Sequence, residues 1–181
     1  NEGQEIDTAA LQSAILRANQ QVLDASAGNS SYEGMGSTAT VLHVDEHAGM
    51  AYYAHVGDSR LYLLRRGIFR QVSRDHSYVE ELVARGELSE AEAQHHPRKN
   101  LLLRAVGIEE RLHVDGDSFP LEAGDRLLLA TDGLTNMVGD DELAVILGGE
   151  FTGLADRMVA QALAGGGSDN ITAIALAYEP S

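Results

Sequence analysis

The chain has 181 residues, 44% hydrophobic and 23% charged, a balance typical of one soluble globular domain. With 28 acidic residues against 13 Lys and Arg, its net charge is −15, so phosphates are repelled and we expect no nucleic-acid partner. The absence of cysteine excludes disulfides, thiolate metal sites and cysteine nucleophiles. No apolar run reaches the ~18 residues of a membrane span, and the start of the chain lacks a signal-peptide pattern, so we expect a cytoplasmic protein without membrane insertion.

The predicted elements begin with a helix over 8–25, where apolar residues recur at helical spacing until Gly28-Asn29 ends the pattern. A polar, glycine-rich loop follows. Four β-branched or aromatic runs separated by short turns then predict strands, and such short connections indicate an antiparallel meander rather than parallel pairing. These strands are expected at 38–44, 50–56, 60–66 and 68–72.

The middle of the chain favours helices, because residues 76–86 have helical spacing and Ser89 to Glu92 match a capping box ahead of Pro97. Strands around helices predict an α+β layered domain that covers residues 1–181, with the middle segment as an insertion. The later elements are expected as strands at 111–119, 124–133 and 171–178 and helices at 140–147 and 154–164.

Three aspartates stand beside glycine at strand boundaries: Asp58, Asp132 and Asp169. Each could be a simple turn residue, because Asp-Gly and Gly-Asp dipeptides are common in turns. Asp132, however, follows the apolar run RLLLA, which predicts a buried central strand, and Asp169 precedes another apolar strand. A carboxylate at such a position loses hydration unless something compensates for it.

Carboxylates that converge repel one another and need a proton or a cation between them. Without cysteine or a His-Glu-x-x-His pattern, the expected ligands are oxygen atoms, which suit Mg²⁺ or Mn²⁺. Two such ions about 3.5–4 Å apart are a common device for activating water against a phosphate ester. The sequence therefore favours a metal-ligand role for Asp169 over a turn role alone.

Five segments in order resemble the bacterial branch of the metal-dependent serine/threonine protein phosphatases of type 2C, the PPM family. They are GMGSTAT, HVGDSRLYLLR, the stretch from RDHSYVEELVARG to LLLRAVG, GDRLLLATDGLTNMV and GGGSDNITAIAL. The resemblance covers residues 8–178 and implies a four-layer α-β-β-α sandwich, with two antiparallel sheets flanked by helices. It also implies that residues 76–106 form a mobile flap subdomain beside the active site.

The resemblance implies that Asp132 and Asp169 are catalytic ligands of a binuclear Mg²⁺ or Mn²⁺ centre, with Asp132 the more central. There a metal-activated water would hydrolyse phosphoserine and phosphothreonine. Asp58 and Asn100 are expected at a third, weaker ion, so that two or three ions bind. The expected partners are phosphorylated proteins, including substrates of a serine/threonine kinase.

One family feature is not found in these 181 residues: an opening segment with an arginine, an Asn-Glu-Asp stretch and a strand ending in Asp-Gly-x-Gly-Gly. We expect that an N-terminal portion is missing from this sequence, with a separated or degenerate relative as the alternative. The alternative function is a non-catalytic phosphatase-like binding or regulatory module. Whether the 181 residues alone are active stays open.

The histidines and the flap arginines have two interpretations each. His95 and His96 are adjacent and favour a helix end over a metal site. His55 is expected in the core of its strand, and His76 either faces the cleft or starts a helix. Arg104 is interpreted as a substrate-binding residue for phosphopeptides, with a solvated flap surface as the alternative.

Overall fold

The computed structural model describes residues 6–180, which contain six α-helices and seven strands. The helices are α1 (Thr8–Ala27), α2 (Tyr78–Ala84), α3 (Glu90–His95), α4 (Asp132–Thr135), α5 (Asp140–Gly148) and α6 (Leu154–Ala164). The strands are β1 (Ala39–Asp45), β2 (Met50–Val56), β3 (Arg60–Arg65), β4 (Ile68–Gln71), β5 (Asp115–Pro120), β6 (Asp125–Ala130) and β7 (Ala173–Tyr178).

The described residues divide into two compact units. The first unit holds residues 6–45, 51–58 and 74–119, and the second holds 46–50, 59–73 and 120–180. Each unit contains one sheet, with strand order β1-β2-β5 in the first and β4-β3-β6-β7 in the second. The predicted α+β fold with two antiparallel sheets and flanking helices is confirmed.

The first unit is organised by α1, which begins at an Asp7 cap and covers a small apolar core. Its buried Asn19 fixes the loop after the flap, because its amide donates to Glu109 O at 2.8 Å and accepts from Gly107 N at 2.7 Å. Gln12 donates to Val114 O at 2.9 Å in the same way. The buried residues of this core are Leu11, Ile15, Ala54, Val56, Val106, Leu112 and Val114.

The second unit is built on β6, which pairs antiparallel with β3 on one side and β7 on the other. Leu127 and Leu128 are both at most 1% exposed although they point to opposite faces, so β6 is the buried central strand that its apolar run predicts. Helices α4, α5 and α6 supply the apolar side chains packed on one face, namely Leu134, Leu143, Leu147, Leu154, Met158 and Ala162.

The structure corrects the predicted elements in three places. The predicted antiparallel meander of four strands is wrong at its centre, because β2 lies beside β1 and β5 in one sheet while β3 pairs with β4 and β6 in the other. The strand predicted at 111–119 begins only at Asp115, because Leu112 and Val114 are packed in the core below α1 and Val114 O bonds the Gln12 side chain. The stretch after Ala130, predicted as the end of a strand, turns instead into the short helix α4. Among residues 6–180, none of the helices combines the length and apolarity needed to cross a bilayer.

Candidate active site

Asp132 stands where β6 ends and α4 begins, and it is half-buried. Thr131, directly before it, joins this point to the start of the neighbouring strand: its amide donates to Thr172 O at 3.1 Å, and its hydroxyl accepts from Thr172 N at 3.0 Å. One turn later, Asn136 donates to Asp132 Oδ2 at 3.5 Å. The buried strand and these bonds fix the backbone that carries the carboxylate.

Asp169 lies exposed in the bend that leads from α6 into β7. Its Oδ1 accepts from the amide of the next residue, Asn170 N, at 2.7 Å, which holds the carboxylate against the backbone of the bend. The glycines before it take backbone angles that other residues avoid, with φ of 129° at Gly166 and 54° at Gly167. The glycine turn anticipated from the sequence is therefore present.

The structure places Asp132 and Asp169 at the same end of the neighbouring strands β6 and β7, which we call the β6–β7 edge. Ala130 and Ala173 are register partners at that edge, and the two aspartates lie just beyond them. A Cβ added to Gly133 would meet Asn170 O at 2.2 Å, so the loops that carry the two carboxylates approach as closely as glycine permits. Within residues 6–180, no group of three or more His, Asp or Glu side chains is placed to hold a metal ion.

Asp58 belongs to the first unit and lies half-buried in the turn after β2. The preceding residue, Gly57, has a φ of 109°, and a Cβ there would meet Thr38 Cγ2 at 2.3 Å. The Gly57 carbonyl accepts from His76 N at 2.7 Å and from His55 Nε2 at 3.0 Å. The turn that presents Asp58 is thus fixed by buried hydrogen bonds.

His55 is fully buried in β2, which confirms the prediction of a core position. Thr40 Oγ1 lies 2.9 Å from Nδ1, and because the Gly57 carbonyl can only accept, the ring proton is on Nε2. The pKa of His55 is lowered to about 4, chiefly by burial and next by the neighbouring His76, against smaller opposing contributions from Asp75, the Gly57 carbonyl and Asp115. His55 is therefore a neutral, structural imidazole.

His76, Asp115 and Arg104 form a connected polar cluster in the first unit. His76 Nε2 lies 3.1 Å from Asp115 Oδ2, and Arg104 Nη1 donates to Asp115 Oδ1 at 3.0 Å. Burial lowers the pKa of His76, and Arg104 lowers it further, although the Asp115 carboxylate opposes both. Partial burial favours a higher pKa for Asp115, but the His76 hydrogen bond and the nearby positive charges outweigh it, so its pKa is lowered.

The sequence assigned no role to Asp115. For Arg104 it offered either a substrate-binding role or a solvated surface position, and neither describes its environment fully. Arg104 is 37% exposed and paired with Asp115, so it is neither a freely solvated surface residue nor a fully buried one. The sequence signal for Asp115 was an Asp-Gly pair in the middle of the predicted strand 111–119, which a turn explains equally well.

Asn100 lies exposed in the turn after α3, and its approach to a third ion stays a prediction. His95 ends α3 and His96 is its C-cap residue, as the adjacent histidines predict. The segment predicted as the flap, residues 76–106, contains the two short helices α2 and α3, and its role stays a prediction.

Comparisons with known proteins agree with this fold. The Protein phosphatase 2C family model matches residues 2–82. A serine/threonine phosphatase stp of Listeria monocytogenes serotype 4b is 41% identical over 166 residues, which is 91% of this chain and 65% of the relative. The chain thus spans just under two thirds of the length of that relative.

Solved structures are also similar. The serine/threonine phosphatase PstP/Ppp of Mycobacterium tuberculosis superposes with a TM-score of 0.91 at 32% identity, over 99% of this chain and 75% of that one. The catalytic domain of PstP, described in complex with two manganese ions, gives a TM-score of 0.86 at 31% identity over 97% and 73%. This chain belongs to the protein phosphatase 2C family, within its bacterial serine/threonine phosphatase branch.

Proposed function

We propose that this protein hydrolyses phosphoserine and phosphothreonine in other proteins, with Mg²⁺ or Mn²⁺ held by Asp132 and Asp169. The observation that carries the proposal is the position of these two carboxylates at one edge of the β6–β7 pair, on loops in backbone contact at Gly133 and Asn170. The names of its relatives, and the two manganese ions of PstP, support the same activity and cofactor.

The chemistry of the proposed ligands fits these ions. Carboxylate oxygens are the ligands that hard divalent cations prefer, and Mg²⁺ takes about six oxygens, many of them from water. Asp132 and Asp169 would supply part of that set. When bound, a pair of such ions lowers the pKa of water and neutralises charge on a phosphate ester.

The contribution of this chain's own residues is to bind and orient. Two carboxylates at one edge repel each other, and this repulsion favours cation binding. We propose that Asp58 and Asn100 contribute to a third, weaker site. Arg104 would orient the substrate phosphate, since a guanidinium carries five N–H donors and the bond to Asp115 uses a donor of Nη1. Phosphoproteins made by a serine/threonine kinase are the proposed substrates.

Asp169→Asn in the full chain tests the proposal. Asparagine can accept the same hydrogen bond from Asn170 N through its Oδ1, so a residue needed only for the bend should tolerate the change. A metal ligand should not: we expect Mn²⁺ affinity and the rate on a phosphothreonine peptide to fall by about tenfold to a thousandfold. Stability without metal should stay level or rise, because the repulsion from Asp132 is removed.

The matched control is Asp156→Asn, which removes an exposed carboxylate of the same unit and should leave rate and Mn²⁺ affinity unchanged. Initial rates with and without EDTA, beside thermal melts with and without Mn²⁺, give the readouts. Full activity after prolonged chelation would refute the metal mechanism. Phosphopeptide binding without any turnover would instead support the non-catalytic module.

A further inference from the structure

His76 joins two regions that the proposed function uses, the Asp58 turn and Arg104. Its backbone lies between them, because His76 N donates to Gly57 O at 2.7 Å and His76 O accepts from Leu103 N at 2.8 Å. The side chain is only 4% exposed. Both contacts are within the first unit: the first brings the start of the flap segment against the turn after β2, and the second joins it to the other end of the same segment.

The His76 ring is used at both nitrogens, and its tautomer follows from its partners. Gly57 N donates to Nδ1 at 3.2 Å, so Nδ1 carries no proton. The ring proton is therefore on Nε2, 3.1 Å from Asp115 Oδ2. Arg104 Nη1 lies 3.2 Å from Nε2, but two donors cannot bond each other, so both bond the Asp115 carboxylate.

The Gly57 peptide has no alternative position. Its carbonyl accepts a second hydrogen bond, from His55 Nε2, and the two imidazole rings stand 4.9 Å apart. The positive φ of Gly57 and the close approach of Thr38 restrict the backbone further. The backbone that leads into Asp58 is thus fixed by hydrogen bonds to two histidines, with His76 bonding both Gly57 N and Gly57 O.

We propose that His76 is a positioning residue that acts in two directions: through Nδ1 on the Gly57–Asp58 turn, and through Nε2 and Asp115 on the guanidinium of Arg104. An apolar side chain could fill the same volume, but only a ring with an acceptor on one side and a donor on the other makes both links. The inference rests on the proposed function, since Asp58 and Arg104 matter to it as proposed site residues.

Two substitutions of His76 separate its link to the Gly57–Asp58 turn from its link to Arg104. In His76→Asn, the amide oxygen can take the place of Nδ1 and keep the Gly57 bond, but the side chain no longer reaches Asp115. In His76→Gln, the amide nitrogen can take the place of Nε2 and keep the Asp115 bond, but the acceptor for Gly57 N is lost. A residue that merely fills the core would show one common defect in both variants.

The expected results are opposite for the two variants. His76→Asn should raise KM for a phosphothreonine peptide by about tenfold while kcat and Mn²⁺ affinity stay near wild type. His76→Gln should weaken Mn²⁺ binding at the weakest site and lower kcat, with KM nearly unchanged. His113→Gln is the matched control, because His113 also contacts Asp115, at 3.3 Å, but is 75% exposed; it should behave as wild type.

Asp115→Asn provides an independent route if either histidine variant folds poorly. Asp115 is partly exposed, so this variant should fold, and it should raise KM as His76→Asn does. The double variant should be no worse than either single one, because both break the same link. Additive effects on KM would refute the connection through Asp115.

NMR separates this inference from the proposed function, because it needs no turnover. The Asp58 amide signal should move in His76→Gln, and the Arg104 guanidinium signal should move in His76→Asn. If the wild type shows no metal-dependent hydrolysis, the proposed function fails, yet these signals still decide the role of His76. Equal movement of both signals in both variants, or kcat and KM changing in parallel, would overturn the inference.

Discussion

Acidification is expected to destabilise the fold through His55. Its pKa is about 4 in the folded chain, against 6.5 for an ordinary histidine, mainly because burial disfavours the charged ring. The unfolded chain therefore binds more protons than the folded chain between these two values, so the free energy of unfolding falls as the pH drops from 6.5 toward 4. Above 6.5 this contribution is fully present.

The magnitude follows from the difference between the two pKa values. At about 1.4 kcal/mol for each pKa unit, the 6.5 of the unfolded chain and the value near 4 of the folded chain correspond to about 3 kcal/mol. This is a large part of the ~5–15 kcal/mol that stabilises a typical domain. The pKa of His76 is also lowered, so its protonation likewise reduces the free energy of unfolding as the pH falls.

The assay compares wild type with His55→Gln by urea unfolding across this range of pH. The glutamine amide can still donate to Gly57 O but does not titrate, so subtracting its stability from that of wild type removes most other pH effects. Far-UV circular dichroism is the suitable probe, because the chain contains no tryptophan. We expect the difference between the two proteins to change by about 3 kcal/mol between about pH 7 and pH 4.

Two results would refute this reasoning. One is a stability difference that stays constant with pH. The other is an NMR titration in which the His55 ring of the folded protein takes up its proton near 6.5. Either result would mean that the ring is hydrated or that its tautomer is not the one deduced from the Gly57 and Thr40 contacts.

Two further substitutions test packing in the second unit. Gly133→Ala should destabilise the folded chain by about 1–3 kcal/mol in thermal melts and weaken Mn²⁺ binding, because the added Cβ would meet Asn170 O at 2.2 Å. The control is Gly139→Ala, whose added Cβ would have no atom within 4 Å. Equal melting temperatures for the two variants would contradict the close approach. Asp125→Ala should cost about 3 kcal/mol in urea unfolding, since the fully buried carboxylate bonds Arg65 Nη2 at 2.6 Å; a loss below about 1 kcal/mol would show that Arg65 finds equal partners in water.

The elements that the sequence predicts well are those with local causes. The turn signals separate β2, β3 and β4 almost at their true bounds, because turn residues act locally. Only β3 and β4 form the hairpin that a short turn predicts, whereas β2 lies in the other sheet. The capping box predicted from Ser89 and Glu92 is present at the start of α3, since both of its hydrogen bonds lie within four residues.

The relations missed from the sequence depend on distant partners. The polar cluster joins Arg104 to Asp115 and to His76, which is 28 positions away in sequence, and no local pattern encodes such a pairing. The start of α4 at Asp132 was missed because Asp-Gly in isolation indicates a turn, whereas helix formation there is stabilised by Leu134 entering the core.

The proposed ligands are positioned by different forces in the two units. In the second unit, Asp132 and Asp169 lie on loops restricted by backbone contact at Gly133, so their geometry depends on side-chain volume and not on charge. In the first unit, the Asp58 turn depends on Gly57 N donating to the unprotonated Nδ1 of His76, a bond that protonation of this nitrogen breaks, whereas the bond from His55 Nε2 to Gly57 O survives protonation. Acid strong enough to reach the lowered pKa of His76 should therefore loosen the Asp58 turn. Gly133→Ala should instead disturb the loops at the β6–β7 ends and leave the Asp58 turn unchanged. As the pH falls, the third, weaker ion proposed at Asp58 should therefore be lost first. The two ions proposed at Asp132 and Asp169 should be retained longer.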